Sequence, residues 1–391
     1  MSDQKTTQNI LPRIVLDGPS ALTLFRDRDD RAASVHEFVY EPENDFVPEY
    51  LSDEDVAATL GDTNVFGHRT LDRLLQHGDL RIGIPSFSRS RAQGVARCVT
   101  RSRELKLVPY GDLGLRPPAD DSPLYLLVPN AESKRRVRNV SQRACTTRVT
   151  PDSFKRLGDV VLVPKPEFAY VLLAHHLSFV ELIVVGMEMC GRYRLTGAPS
   201  NQLLVSSGAI YDCDQLMTPT SMHDYANQNS SFPGAALALR TCKYLVPNSS
   251  SPMETIVYLL LCLPRSMGGY GLPKPQLNAK RVVNTYAGSI TFSRTLIPDL
   301  YWPSARLDME YDSDEFHSDA ESLAKGARRA LALRAMHVDV ISMTRDIVYD
   351  ESAFHAAARL VSSRLGIRFR PFSESALKKR RELRELLLWQ N

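Results

Sequence analysis

The stretch PDLYWPSARLDMEYDSDEFHSD, Pro298 to Asp319, decides how the chain is read. Seven carboxylates (Asp299, Asp308, Glu310, Asp312, Asp314, Glu315 and Asp319) share it with one cation, Arg306. Pro303-Ser304 is turn chemistry between two runs of strand character, LIPDLYW and RLDMEYD, which predicts a hairpin. Alternation along the second run sends Leu307, Met309 and Tyr311 to one face and Asp308, Glu310 and Asp312 to the other. Stacked carboxylates repel one another unless water or a cation neutralises them. Across the turn Asp299 falls near Glu310, so the pattern suggests a divalent ion shared between these two, with Asp308, Asp314 and Glu315 as surface charges beside it. Hard oxygen ligands suit Mg2+ or Mn2+, and no thiolate or imidazole cluster points to zinc.

Working outward, residues 245–391 read as one domain. SPMETIVYLLLCLP is an apolar helix with Ser251 as N-cap and Pro252 at its first position. Glu254, three residues after Ser251, suits a capping box and a catalytic carboxylate equally. KRVVNTY and SITFSRTLIPDLYW read as strands. SDAESLAKGARRALALRAM, ESAFHAAARLVSSRLG and SESALKKRRELRELLLWQN read as helices, with strand VDVISMT between the first two.

These residues carry a resemblance. Glu254 on a helix, then Pro298-Asp299, then Glu310-Tyr311-Asp312 resembles the PD-(D/E)xK nuclease superfamily. LIPDLYWPSARLDMEYDSDEFH is similar, more narrowly, to bacterial relatives of Vsr mismatch endonucleases, which read as an aspartate, then WP…R, then E-V-D-G-x-x-W-H. The matching positions are Asp299, Trp302, Pro303, Arg306, Glu310, Asp312 and His317; Phe316 stands where tryptophan is usual and Ser313 where glycine is usual. The resemblance implies a restriction-endonuclease-like α/β domain, a mixed sheet flanked by helices. It implies that Asp299, Glu310 and Asp312 hold Mg2+ or Mn2+, and that His317 acts as acid or base. Asp312 occupies the place of the superfamily's lysine and so brings no cation. The implied activity is metal-dependent hydrolysis of a DNA phosphodiester, in phage defence or DNA repair. The alternative is a catalytically inactive DNA-binding or regulatory, antitoxin-like protein.

Before this domain lies a second α/β region, 51–240, preceded by a partly flexible start, 1–50. Helices are expected from Ser52 and over HRTLDRLLQHG, then short strands at LRIGIP, VARCVT, LKLVPY, PLYLLVP and DVVLVP. Residues 166–195 read as two buried helices, with Ser178 and Glu181 boxing the second. His175 and His176, adjacent on a helix, point in different directions and read as structural. Residues 196–234 read as a connector. The run 160–272 resembles bacterial proteins that place an AbiEi-like segment before such a nuclease-like unit. That implies a toxin, antitoxin or other defence-system partner, with DNA as ligand.

Composition is that of a soluble globular chain: 391 residues, 43% hydrophobic and 24% charged. No apolar run reaches membrane-spanning length, and scattered cysteines suggest free thiols in a reducing cytoplasm. The net charge of +3 hides segregation. Arg135, Arg136 and Arg138 lie in one basic segment, and Lys378 and Arg381 in another, both candidates for phosphate contact. No P-loop, GxSxG or HExxH motif occurs.

Overall fold

A computed structural model describes residues 14–27, 80–81, 105–106, 108, 110–128, 130–149, 153–157, 161–197, 204, 206–291, 293–312 and 320–388. The helices expected from Ser52 and over 68–78, the strand VARCVT, most of LRIGIP, and Asp314, Glu315, His317 and Asp319 lie outside the described residues. Contacts divide the chain into two units. Unit 1 is Met1–Leu182, Thr196–Ser206 and Thr220–Lys243; unit 2 is Ile183–Leu195, Ser207–Pro219 and Tyr244–Asn391.

The first described elements are β1 (Ile14–Val15), α1 (Gly18–Asp27), β2 (Leu80–Arg81), β3 (Leu124–Val128), β4 (Val140–Ala144), β5 (Arg148–Val149), β6 (Phe154–Leu157) and β7 (Val161–Pro164). Then follow α2 (Pro166–Leu173), α3 (Phe179–Met189), β8 (Tyr193–Thr196), β9 (Gly208–Tyr211), α4 (Pro219–Gln228) and α5 (Ala235–Cys242). Later come α6 (Pro252–Cys262), β10 (Gln276–Leu277), β11 (Arg281–Val282), α7 (Thr285–Thr291), β12 (Thr295–Leu296), β13 (Leu300–Trp302) and β14 (Leu307–Asp312). The last are α8 (Ala320–Ala335), β15 (Asp339–Thr344), α9 (Arg345–Tyr349), α10 (Glu351–Arg364) and α11 (Glu374–Leu387). The architecture is thus mixed α/β with several small sheets. Among the described residues no helix is long and apolar enough to cross a membrane.

In unit 1, β7 is buried along its whole length and lies between β1, parallel, and β6, antiparallel. Ile14, Leu16, Leu24, Leu126 and Val163 share its core, so part of the segment expected to be flexible is a strand and helix at the centre of the unit. Its short apolar run is too brief to show a period, although it is buried on every side. Gly18 lets α1 touch α2 backbone to backbone, since a Cβ there would stand 2.8 Å from Leu173 N.

Two further expectations fail locally. VSQRA, not among the expected strands, is β4, paired in parallel with β3. Its Arg143 turns inward and grips the buried Asp17 through two nitrogens, at 2.8 and 2.5 Å. Burial alone would raise the Asp17 carboxyl, but hydrogen bonds from Arg143 and His176 hold it down at about 2. His176 is therefore structural, as expected, and His175 contacts the Pro233 carbonyl at 2.9 Å. The 196–234 connector contains β9 and α4. The Ser178–Glu181 box is present, with Ser178 N donating to Glu181 at 2.8 Å.

Unit 2 holds the sheet β10-β13-β14-β15. β10, β13 and β14 are antiparallel neighbours; β15 returns parallel to β14 after the crossover helix α8. The turn at Pro303 forms as expected, with Arg306 at φ 47° closing it. KRVVNTY and SITF do not form one long strand each. Asn284 Oδ1 accepts from Ala287 N at 2.8 Å, and this cap starts α7 where β-branched residues suggested a strand. One face of the sheet is apolar: Leu277, Leu300, Trp302, Leu307 and Met309 are buried.

Gly268, at φ 97°, closes the turn after α6 where α11 crosses; a Cβ there would stand 2.3 Å from Lys379 O. Gly268→Ala is expected to cost about 2 kcal/mol in denaturant unfolding, from the left-handed backbone and the clash together.

Candidate acidic site

The register assembles the site. Leu300 pairs with Met309 and Gln276 with Tyr301, so extending both ladders sets Asn278, Asp299 and Glu310 in one row, continued by Ser342 of β15. Side chains in one row share a face, and Asp308 and Asp312 join Glu310 on that face by alternation. The expected separation of Leu307 and Met309 from Asp308 and Glu310 therefore holds. Asp299 is fixed at both ends: its carbonyl accepts from Asn278 N at 3.0 Å, and its Oδ2 from Tyr311 N at 2.9 Å.

The acidic face is largely covered. Arg329 comes down on it from α8. Its Nη2 stands 3.1 Å from Asp299 Oδ1 and 2.9 Å from Glu310, and also donates to the Ile297 carbonyl. The two carboxylates expected to share a divalent ion therefore converge on one point, and a guanidinium nitrogen occupies it. Arg329 Nε has no hydrogen-bond partner.

Asp308 corrects an expectation. Read as a surface charge, it is 0% exposed, and neither of its oxygens has a well-formed hydrogen bond. Alternation puts it under the crossover helix, which a strand pattern alone does not reveal. The Glu310 carboxyl lies near it, and burial together with crowding by neighbouring carboxyls raises both. Burial, then crowding by Asp299, brings Asp308 to about 6. Burial, then Asp308 and Asp299, pushes Glu310 higher still.

Glu254 forms the capping box that its spacing allowed. Ser251 caps α6 by accepting from Glu254 N at 3.1 Å, and the Glu254 carboxyl accepts from Ser250 N at 2.9 Å, which completes a capping box. The same carboxyl is bound at 2.5 Å by Asn278, the row partner of Asp299. It is 7% exposed, and burial followed by the charge of Asp299 lifts it to about 7. Asp312 is half-buried at the end of β14, and its charge adds to burial, the larger cause, in raising the Asp299 carboxyl.

Two carboxyls, Asp299 and Glu310, thus meet one guanidinium, with Asp308 and Glu254 buried nearby. Isolated buried charge is costly, so this group must hold protons or gain positive charge. Among the described residues no group of three or more His, Cys, Asp or Glu side chains is placed to hold a metal ion. What converges is the pair Asp299 and Glu310.

The basic residues divide. Arg135, Arg136 and Arg138 are exposed in unit 1, Arg138 meeting Asp120 at 2.9 Å. Lys378 and Arg381 are exposed on α11. Their neighbours Arg380 and Arg384 point inward: Arg380 stacks 3.6 Å from the Phe372 centroid, and Arg384 donates to the Val348 and Tyr349 carbonyls. The solvent-facing bases of that helix are therefore fewer than its charge run suggests.

Sequence reading missed Arg329 and Asn278. Arg329 is one of a pair, Arg328-Arg329, on an amphipathic helix, and only the crossover geometry selects it. The chain matches no protein-family model, and comparison with curated proteins and with solved structures returns no similar protein.

Proposed function

We propose that unit 2 hydrolyses phosphodiester bonds of DNA with the help of a divalent ion held by Asp299 and Glu310. The observation that carries this reading is the convergence of those two carboxylates on a single cation-sized position, beside the buried and unsatisfied Asp308. The donor set fits Mg2+ or Mn2+, which take hard oxygens and typically engage one or two protein carboxylates together with water and substrate phosphate. Bound there, such an ion would activate a water and offset charge growing on the phosphate. The chain's own contributions are positional. Tyr311 N and Asn278 N orient Asp299, while Asn278 and the α6 cap hold Glu254 behind it. Asp308 adds negative charge that favours a cation at the site. Lys378 and Arg381 offer sequence-independent phosphate contacts.

The test is incubation of the full chain with Mg2+ or Mn2+ and plasmid, linear duplex or single-stranded DNA. Cleavage is expected in at least one case, and Asp299→Asn is expected to abolish it. Intact DNA in all three ends the enzymatic reading.

Arg329 favours a second reading, in which its guanidinium replaces the metal for good and the domain is a non-catalytic DNA-binding or regulatory module. That reading expects salt-sensitive DNA binding with no cleavage, and no change in melting temperature on adding Mg2+.

A further inference from the structure

We infer that Arg329 is an exchangeable internal cation: a divalent ion takes its place between Asp299 and Glu310, and the released guanidinium turns toward the substrate phosphate. This rests on the metal-site reading above and adds how the site is kept in the ion's absence.

Three observations carry it. First, Arg329 binds through one nitrogen. Nη2 serves Asp299, Glu310 and the Ile297 carbonyl, while Nε has no partner. A guanidinium built in for good would present its fork to a carboxylate through two parallel bonds. Arg143 does so on Asp17 in this same chain. Second, the side chain retains 34% of its exposure, so it has a way out to solvent, whereas its partners are 14% and 12% exposed. Third, Asp308 keeps two unsatisfied oxygens in a fully buried position. One guanidinium does not neutralise Asp299, Glu310 and Asp308 together; a divalent ion in its place comes closer.

The exchange also answers a chemical lack. Asp312 sits two residues after Glu310 and supplies no positive charge. A guanidinium displaced from these carboxylates starts within a side chain's length of any phosphate bound to the ion, and its fork suits two phosphate oxygens.

The test uses the EDTA-treated full chain and Mn2+ itself, with binding read by electron paramagnetic resonance. Arg329→Gln is expected to bind Mn2+ ten- to a hundredfold more tightly than the parent. Loaded with Mn2+, the same variant is expected to bind a 20-base-pair duplex about tenfold more weakly. Opposite signs are the signature, because a merely structural arginine would lower both affinities. In the parent, the Arg329 Nε–H resonance, assigned by its loss in Arg329→Lys, should shift in step with Mg2+ saturation; this arm stands even if Arg329→Gln folds poorly. Equal Mn2+ affinity in parent and variant, or saturation with the resonance unmoved, overturns the exchange and leaves the metal site standing. No Mn2+ binding by either protein overturns the metal site and the exchange with it.

Discussion

Arg329→Ala is expected to destabilise unit 2 by about 3 kcal/mol at pH 8 in metal-free buffer, the lower end of the cost of stripping one partner from a buried ion pair. The reasoning lies in what remains. Asp299 and Glu310 stay beneath the crossover helix α8, facing Asp308 and Glu254, with no positive charge among them. The one-third exposure of the arginine keeps the figure at the low end, because water screens part of the loss. Denaturant unfolding of parent and variant, with and without Mn2+, measures it. Mn2+ should restore most of the loss by binding the native state. A loss below about 1 kcal/mol would class the contact with ordinary surface ion pairs and remove its importance.

The second large effect is a dependence on pH that runs opposite to acid denaturation. Asp308 stands at about 6 and Glu254 at about 7 in the folded chain, against ordinary values of 3.8 and 4.5, chiefly through burial. The folded state therefore binds more protons than the unfolded state between about pH 4 and 7. Stability from these groups is complete below the unfolded values and is lost as pH rises through 6 and 7. The loss amounts to at most about 3 kcal/mol for each group. Asp308→Asn removes one of these raised carboxyls, and its amide can donate to Glu310, so this variant should be more stable than the parent at pH 8 and nearly equal to it at pH 4. Glu254→Gln keeps the α6 capping box, which accepts glutamine as readily, and should reduce the slope further, Glu310 and Asp299 keeping the rest. Mg2+ should reverse the trend by favouring ionised carboxylates, so its stabilising effect is expected to be larger at pH 8 than at pH 5. Denaturant midpoints at four pH values decide the matter; a parent whose stability rises from pH 5 to 8 without metal would refute it.

Much of unit 2 is legible in its residues because the signals are local. Ser251 and Pro252 start α6, Pro303-Ser304 turns the hairpin, and alternation along β14 sorts carboxylates from leucine and methionine. The pairing of Asp299 with Glu310 follows from hairpin register alone. Arg329 and the burial of Asp308 are not legible, because both depend on how the crossover helix lies on the sheet, a long-range fact that no spacing within β14 encodes. The same limit applies to unit 1. Arg143 looks like one more base in a charged segment until Asp17, 126 residues earlier, is set beside it. At α7, the asparagine cap outweighs the β-branched residues that follow.

The bond from Tyr311 N to Asp299 Oδ2 has a use of its own. β13 begins at Leu300, so a side chain takes up one more rung where the backbone ladder has stopped. That amide therefore trades its proton with solvent only when the aspartate lets go. Deuterium uptake at this single position becomes a clock for the carboxylate beside it, slow while Asp299 is held and fast when it is drawn away.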